Sequence, residues 1–149
     1  MSRAKPSVLV IDDAGPIRLL CRVNLEAAGI EVHEAEDGPS GVEAARREHP
    51  DVILLDVMMP GMDGWEVFGV LLEDEETAKI PIVFLTARAE LRDQARGLEL
   101  GGVDYVTKPF DPLELAPMVH DLLDRLERGV VQERRRERLA ELRRLLVND

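Results

Sequence analysis

The 149 residues are 45% apolar and 33% charged, enough apolar side chains for one domain-sized core and too many for a disordered chain. The formal charge of −11 opposes nucleic acid and anionic membranes as partners and favours basic partners or cations. No run approaches the roughly 20 apolar residues of a membrane span, and the single cysteine, Cys21, excludes an internal disulfide and fits a buried apolar role in a reducing, cytoplasmic setting.

Val8 to Asp12 (VLVID) is the first of four short runs rich in Val, Ile and Leu without polar alternation. Such runs read as strands covered on both faces, hence a parallel sheet. Pro16 to Ala28 follows with helical spacing and is closed by Gly29. Glu31 to Ala35 (EVHEA) is more polar and reads as a shorter edge strand. Asp37-Gly38 precedes a second helix, Pro39 to Glu48, and His49-Pro50 separates it from the strand Asp51 to Asp56 (DVILLD). Asp63 serves as turn and capping residue before Gly64 and the helix Trp65 to Leu72, where Trp65 is read as core. Next come the strand Ile80 to Thr86 (IPIVFLT), the helix Leu91 to Leu100 and the strand Val103 to Thr107 (VDYVT). Asp111 caps a last helix of the main body, Pro112 to Leu126, with proline at its first position. Pro117, inside that helix, predicts a kink or a late start.

Strand and helix alternate five times. That order implies right-handed crossovers and a doubly wound, three-layer α/β domain over residues 1–128, with its ligand site at the carboxyl ends of the strands. Beyond Arg128, Gly129-Val130-Val131 interrupts the pattern, and Gln132 to Val147 resumes as a helix with Leu139, Leu142, Leu145 and Leu146 on one side. Residues 129–149 therefore read as a charged helical extension. Arg134, Arg135, Arg136, Arg138, Arg143 and Arg144 outweigh Glu133, Glu137, Glu141 and Asp149 there by +2, which leaves −13 on residues 1–128. The arginines read as a solvated helix face, while Leu139, Leu142 and Leu146 should pack.

Chemistry is expected where the strands end. Asp12 and Asp13 close the first strand, Asp56 the third and Thr86 the fourth, and Lys108 follows the fifth. Acidic residues at strand ends are commonly only solvated turns, but five suitable side chains at four separate ends would share one rim. Three carboxylates gathered there repel one another, on the order of 4 kcal/mol per pair at about 4 Å and an effective dielectric near 20. Lys108 offsets part of that, and a hard divalent cation held by oxygens offsets the rest, with Mg²⁺ suited because it tolerates few protein carboxylates. A central carboxylate so placed, Asp56, can attack phosphorus to form an aspartyl phosphate, with Thr86 and Lys108 binding phosphoryl oxygens.

The motifs VLVIDD (Val8 to Asp13), LLDVMMPGMDG (Leu54 to Gly64), FLTA (Phe84 to Ala87) and DYVTKPF (Asp104 to Phe110) closely resemble the receiver domains of two-component response regulators over about Val8 to Arg128. The resemblance implies a flavodoxin-like (βα)5 fold with strand order 2-1-3-4-5. It makes Asp56 the phosphoacceptor, Asp13 a direct Mg²⁺ ligand assisted by Asp12, and the backbone carbonyl of Met58 a further ligand beside Asp56. Thr86 and Lys108 complete the catalytic set, Lys108 to Pro109 is expected to be a cis peptide, and Tyr105 is expected to act with Thr86 as a switch. Met58 and Arg88 match positions that tune the lifetime of the phosphorylated state.

By the same resemblance the phosphoryl donor is a sensor histidine kinase or a histidine phosphotransfer protein. The protein is then a phosphoacceptor that assists its own phosphorylation and dephosphorylation, not an enzyme with separate substrates; a hydrolase of that kind would carry a DxD motif, which Asp12-Asp13-Ala14 lacks. A constitutive binding module would have lost one of the five site residues. With about 20 residues beyond Arg128, the expected output is phosphorylation-dependent binding to a downstream protein, with homodimerisation through the face of helix four, strand five and helix five, and with no DNA or membrane partner.

Overall fold

The computed structural model describes residues 5–87 and 91–147. Arg88, Asp149 and the side chain of Arg134 lie outside the described residues, so the expectations placed on them are not addressed. Strands and helices alternate as β1 (Ser7–Ile11), α1 (Gly15–Ala27), β2 (Glu31–Ala35), α2 (Gly38–Glu48), β3 (Val52–Asp56), α3 (Gly64–Glu73), β4 (Ile82–Ala87), α4 (Leu91–Leu100), β5 (Asp104–Lys108) and α5 (Pro112–Glu127), followed by α6 (Val131–Val147). The strands form one parallel sheet in the order β2-β1-β3-β4-β5. This is the flavodoxin-like topology implied by the motifs.

Because parallel strands need crossovers and the helices take both faces, the central strands are buried on both sides. All five residues of β1 and of β3 are buried, whereas β2, at the edge, buries only Val32 and Ala35. Val8, Val10, Val52, Leu54, Val83 and Leu85 meet α1 and α5 on one face. Leu9, Ile11, Ile53, Leu55 and Phe84 meet α2, α3 and α4 on the other. Trp65 packs on Phe84 with ring centroids 5.0 Å apart, the core role expected of it.

Local chemistry sets the helix starts. Asp37 accepts from the Ser40 N–H at 2.9 Å, Asp63 from Glu66 at 2.9 Å and Asp111 from Leu113 at 2.9 Å, each satisfying a donor that the first helical turn leaves free. β4 begins two residues later than Ile80, since Pro81 has no N–H to give the ladder, although its carbonyl accepts from Ile53 at 2.9 Å. Pro117 neither delays nor interrupts α5, which runs unbroken from Pro112. The carbonyl it deprives of a partner belongs to Leu113, which is 78% exposed, so water can serve it.

After α5 the chain turns sharply. Gly129, at φ 71°, occupies the left-handed region that glycine tolerates, and the Val130 N–H returns to the Arg125 carbonyl at 2.9 Å. α6 is thereby laid back onto α4 and β5. Leu142 is fully buried, Leu139 and Leu146 pack beside it, and Leu145 faces out. Arg136, Arg143 and Arg144 are exposed, but the reading of a solvated face is corrected for two arginines: Arg138 pairs with buried Asp104 at 2.8 Å, and Arg135 donates to the carbonyls of Leu98 and Glu99. Helical spacing places these two arginines on the leucine side, where α4 and β5 offer acceptors. No described helix is long and apolar enough to cross a membrane.

Candidate functional site

Parallel strands deliver their last residues to one rim, and the acidic ones gather there. Asp12 follows β1 and is fully buried, Asp56 ends β3 and is 3% exposed, and Asp13 is exposed. One carboxylate oxygen from each lies within 4.8 Å of the others. Lys108, the last residue of β5, reaches across with Nζ 2.7 Å from Asp12 Oδ2 and 3.4 Å from Asp56 Oδ1. The Lys108–Pro109 peptide is cis, as the resemblance implied.

Two of the three carboxylates accept from backbone donors. Asp12 Oδ1 accepts from the Ala14 N–H at 2.9 Å, and Asp56 Oδ1 from Met58 at 3.2 Å. Arg18, on α1, donates to the Asp12 carbonyl at 2.6 Å and to Glu34 at 3.2 Å. Sequence reasoning passed over Arg18; its only signal is an arginine on the first turn of a helix that begins at the acidic rim.

Electrostatics follow from this crowding. Burial pushes the Asp56 carboxyl up to about 6, with Asp12 adding to the rise and Lys108 and the Met58 N–H opposing it. Burial works against the Lys108 ammonium, but Asp12 and Asp56 beside it hold its pKa above the ordinary lysine value. One lysine among three carboxylates leaves the rim negative. A set of hard oxygen donors with excess negative charge fits a divalent metal ion.

Thr86 sits 1% exposed on β4, paired in register with Thr107 of β5, while Ala87 pairs with Lys108. Tyr105, near the start of β5, is 7% exposed and lies under Arg138, whose guanidinium carbon is 4.3 Å from the ring centroid. It is thus on a different part of the strand from the acidic cluster. Met58 has an exposed side chain in the loop after β3. That loop is pinned by Gly64, whose N–H donates to the Val57 carbonyl at 3.0 Å. Asp104 and Arg138 carry an ion pair that sequence reasoning missed, because nothing in a strand of five residues foretells which helix will cover it.

A family model described as the response regulator receiver domain matches residues 8–120. The chain belongs to the response-regulator receiver family. Among curated relatives, the receiver is 44% identical over 123 residues to the DNA-binding dual master transcriptional regulator RpaA of Synechocystis sp., covering 83% of this chain and 51% of RpaA. It is 42% identical over 126 residues to the phosphate regulon transcriptional regulatory protein PhoB of Escherichia coli, covering 85% of this chain and 55% of PhoB. The receiver thus spans about half the length of these relatives. Among solved structures, the chemotaxis protein CheY4 of Vibrio cholerae superposes with a TM-score of 0.74 at 31% identity, covering 79% of this chain and 98% of CheY4. The receiver domain of a Francisella response regulator gives 0.74 at 33% identity, covering 82% and 99%.

These relatives correct the expectation about partners. A charge of −11 pointed away from DNA, yet RpaA is named as DNA-binding and PhoB as a transcriptional regulator. Net charge speaks only for the residues counted, and the match is to half of each relative, so the acidity of the receiver is no argument against DNA. On the face expected to form a dimer, α6 lies on α4 and β5 and buries Leu142.

Proposed function

We propose that the receiver takes a phosphoryl group onto Asp56 from the phosphohistidine of a sensor kinase or phosphotransfer protein. The observation that carries this reading is the gathering of Asp12, Asp13 and Asp56 within 4.8 Å at the rim reached by Lys108. Asp13, with Asp12 assisting, Asp56 and the backbone carbonyl of Met58 would hold Mg²⁺, which when bound neutralises charge on the transferred group. A carboxylate oxygen of Asp56 attacks phosphorus as the phosphorus–nitrogen bond of the donor breaks, and the bonding pair leaves with the imidazole. Lys108, freed from part of its hold on Asp12, pairs with one phosphoryl oxygen, and the Thr86 hydroxyl donates to another. Water attacking the same phosphorus later returns Asp56 to the carboxylate, and the phosphorylated state is read out as a change in what the receiver surface binds.

The test is intact mass after incubation with acetyl phosphate and Mg²⁺. One added phosphoryl group is expected, lost in Asp56→Asn and in chelator. Absence of the adduct, together with failure of beryllium fluoride to bind, would overturn the reading.

Metal binding has its own signature. An ion that binds the native state alone raises stability by about 2.7 kcal/mol at a hundredfold excess over its Kd, so urea unfolding with and without Mg²⁺ should show a gain of that order. Asp13→Ala should erase most of it; an undiminished gain in that variant would remove Asp13 from the ligand set.

A further inference from the structure

α6 holds its face by two kinds of contact. Leu142 is fully buried, and with Leu139 and Leu146 it joins the core that contains Phe84, Leu98 and Tyr105. The polar contacts are as specific: Arg138 Nε donates to Asp104 Oδ1 at 2.8 Å, Asp104 is 1% exposed, and the same guanidinium lies over the Tyr105 ring. Arg135 donates to the carbonyls of Leu98 and Glu99 at the end of α4, and Arg143 reaches the Glu99 carboxylate at 3.0 Å. A helix of 17 residues this rich in charge draws most of its order from such docking.

Strand β5 joins this face to the acidic rim. Its five residues carry ion pairs at opposite ends, Asp104 with Arg138 and Lys108 with both Asp12 and Asp56. Between them stands Tyr105, in contact with Arg138. Replacing the Asp56 carboxylate by a group of about −2 charge recruits Lys108 away from Asp12. The β4–β5 register pairs Ala87 with Lys108 and Val83 with Asp104, so the same two strands carry both ends of this connection.

We propose that α6 is a latch: a resident ligand of the α4–β5 face, held by Asp104 and Tyr105, that leaves when Asp56 is phosphorylated. The latch rests on the phosphoacceptor reading above. Its occupant is this chain's own helix, brought to the face by the turn at Gly129. Coupling is reciprocal, so weakening the latch must favour the occupied site.

The experiment is amide hydrogen exchange over residues 131–147 of the full chain, with Mg²⁺ and with or without beryllium fluoride as the phosphoryl mimic. Site occupancy is counted separately by native mass. Exchange in α6 is expected to quicken at least tenfold on occupancy while that of α1 and α2 holds. Arg138→Gln should quicken α6 without the mimic and tighten binding of the mimic by a comparable factor, and Leu142→Ala should do the same through packing alone. A filled site with unchanged α6 exchange, or with unchanged exchange and a doubled mass that signals α6 docking on a second copy, overturns the latch and leaves the phosphoacceptor intact. No occupancy of the parent at any concentration overturns both.

Discussion

In chelator, Asp56→Asn is expected to be more stable than the parent by about 3 kcal/mol near pH 7.5, with the advantage shrinking below about 1 kcal/mol at pH 4. Burial first, and Asp12 next, raise the Asp56 carboxyl from 3.8 to about 6. The native state therefore keeps a proton that the unfolded chain has already released between those two values. Below the unfolded pKa both states are protonated and the group contributes no difference; as pH rises through the window the parent loses stability, and above about 6 the penalty is complete. Asparagine is neutral throughout. Its Oδ1 can still accept from the Met58 N–H, as Asp56 does at 3.2 Å, and its amide can donate toward the neighbouring carboxylates. Urea unfolding at pH 4, 5, 6 and 7.5 measures the difference directly, and a gap independent of pH would show that Asp56 is not held against its charge.

Gly64→Ala is expected to destabilise the fold by about 3 kcal/mol or more. Alanine is the better helix former by about 1 kcal/mol, so propensity alone predicts a gain at the start of α3. Space decides otherwise. A Cβ at residue 64 would stand 2.7 Å from the Val57 Cα and closer still to the Asp56 carbonyl oxygen. Both obstacles are backbone and cannot swing aside as a side chain would. The loop after β3 must shift, taking with it the Met58 N–H that fixes Asp56. Denaturant midpoints should fall, and phosphoryl uptake by the variant should fall with them at temperatures where it remains folded. A midpoint within error of the parent would mean that the loop yields freely.

Fold and rim were legible for the same reason. Buried parallel strands write themselves as continuous runs such as Ile53, Leu54 and Leu55, and the rule that chemistry collects at their carboxyl ends points to the rim where Asp12, Asp13, Asp56 and Lys108 meet. Strand ends shifted by a residue or two at Ile80 and Lys108, where proline chemistry and pairing register decide and hydropathy does not. Pro117 does not delay the start of α5, because the carbonyl it strands can meet water, and exposure of Leu113 is a tertiary fact. Arg135 and Arg138 misled for a related reason: a run of charge looks solvated until a buried acceptor such as Asp104 is known to face it. Partner identity was least legible, since charge on one segment says nothing of what its longer relatives act upon.

The chain holds a single tryptophan, and its place in the fold gives the protein a built-in optical probe. Trp65 follows Gly64, packs with its ring tilted 44° against Phe84 two residues before Thr86, and touches the helix that bears Gly97. The indole sits between the loop after β3, β4 and α4, so a rearrangement of these elements can be followed through its intensity and lifetime without a label.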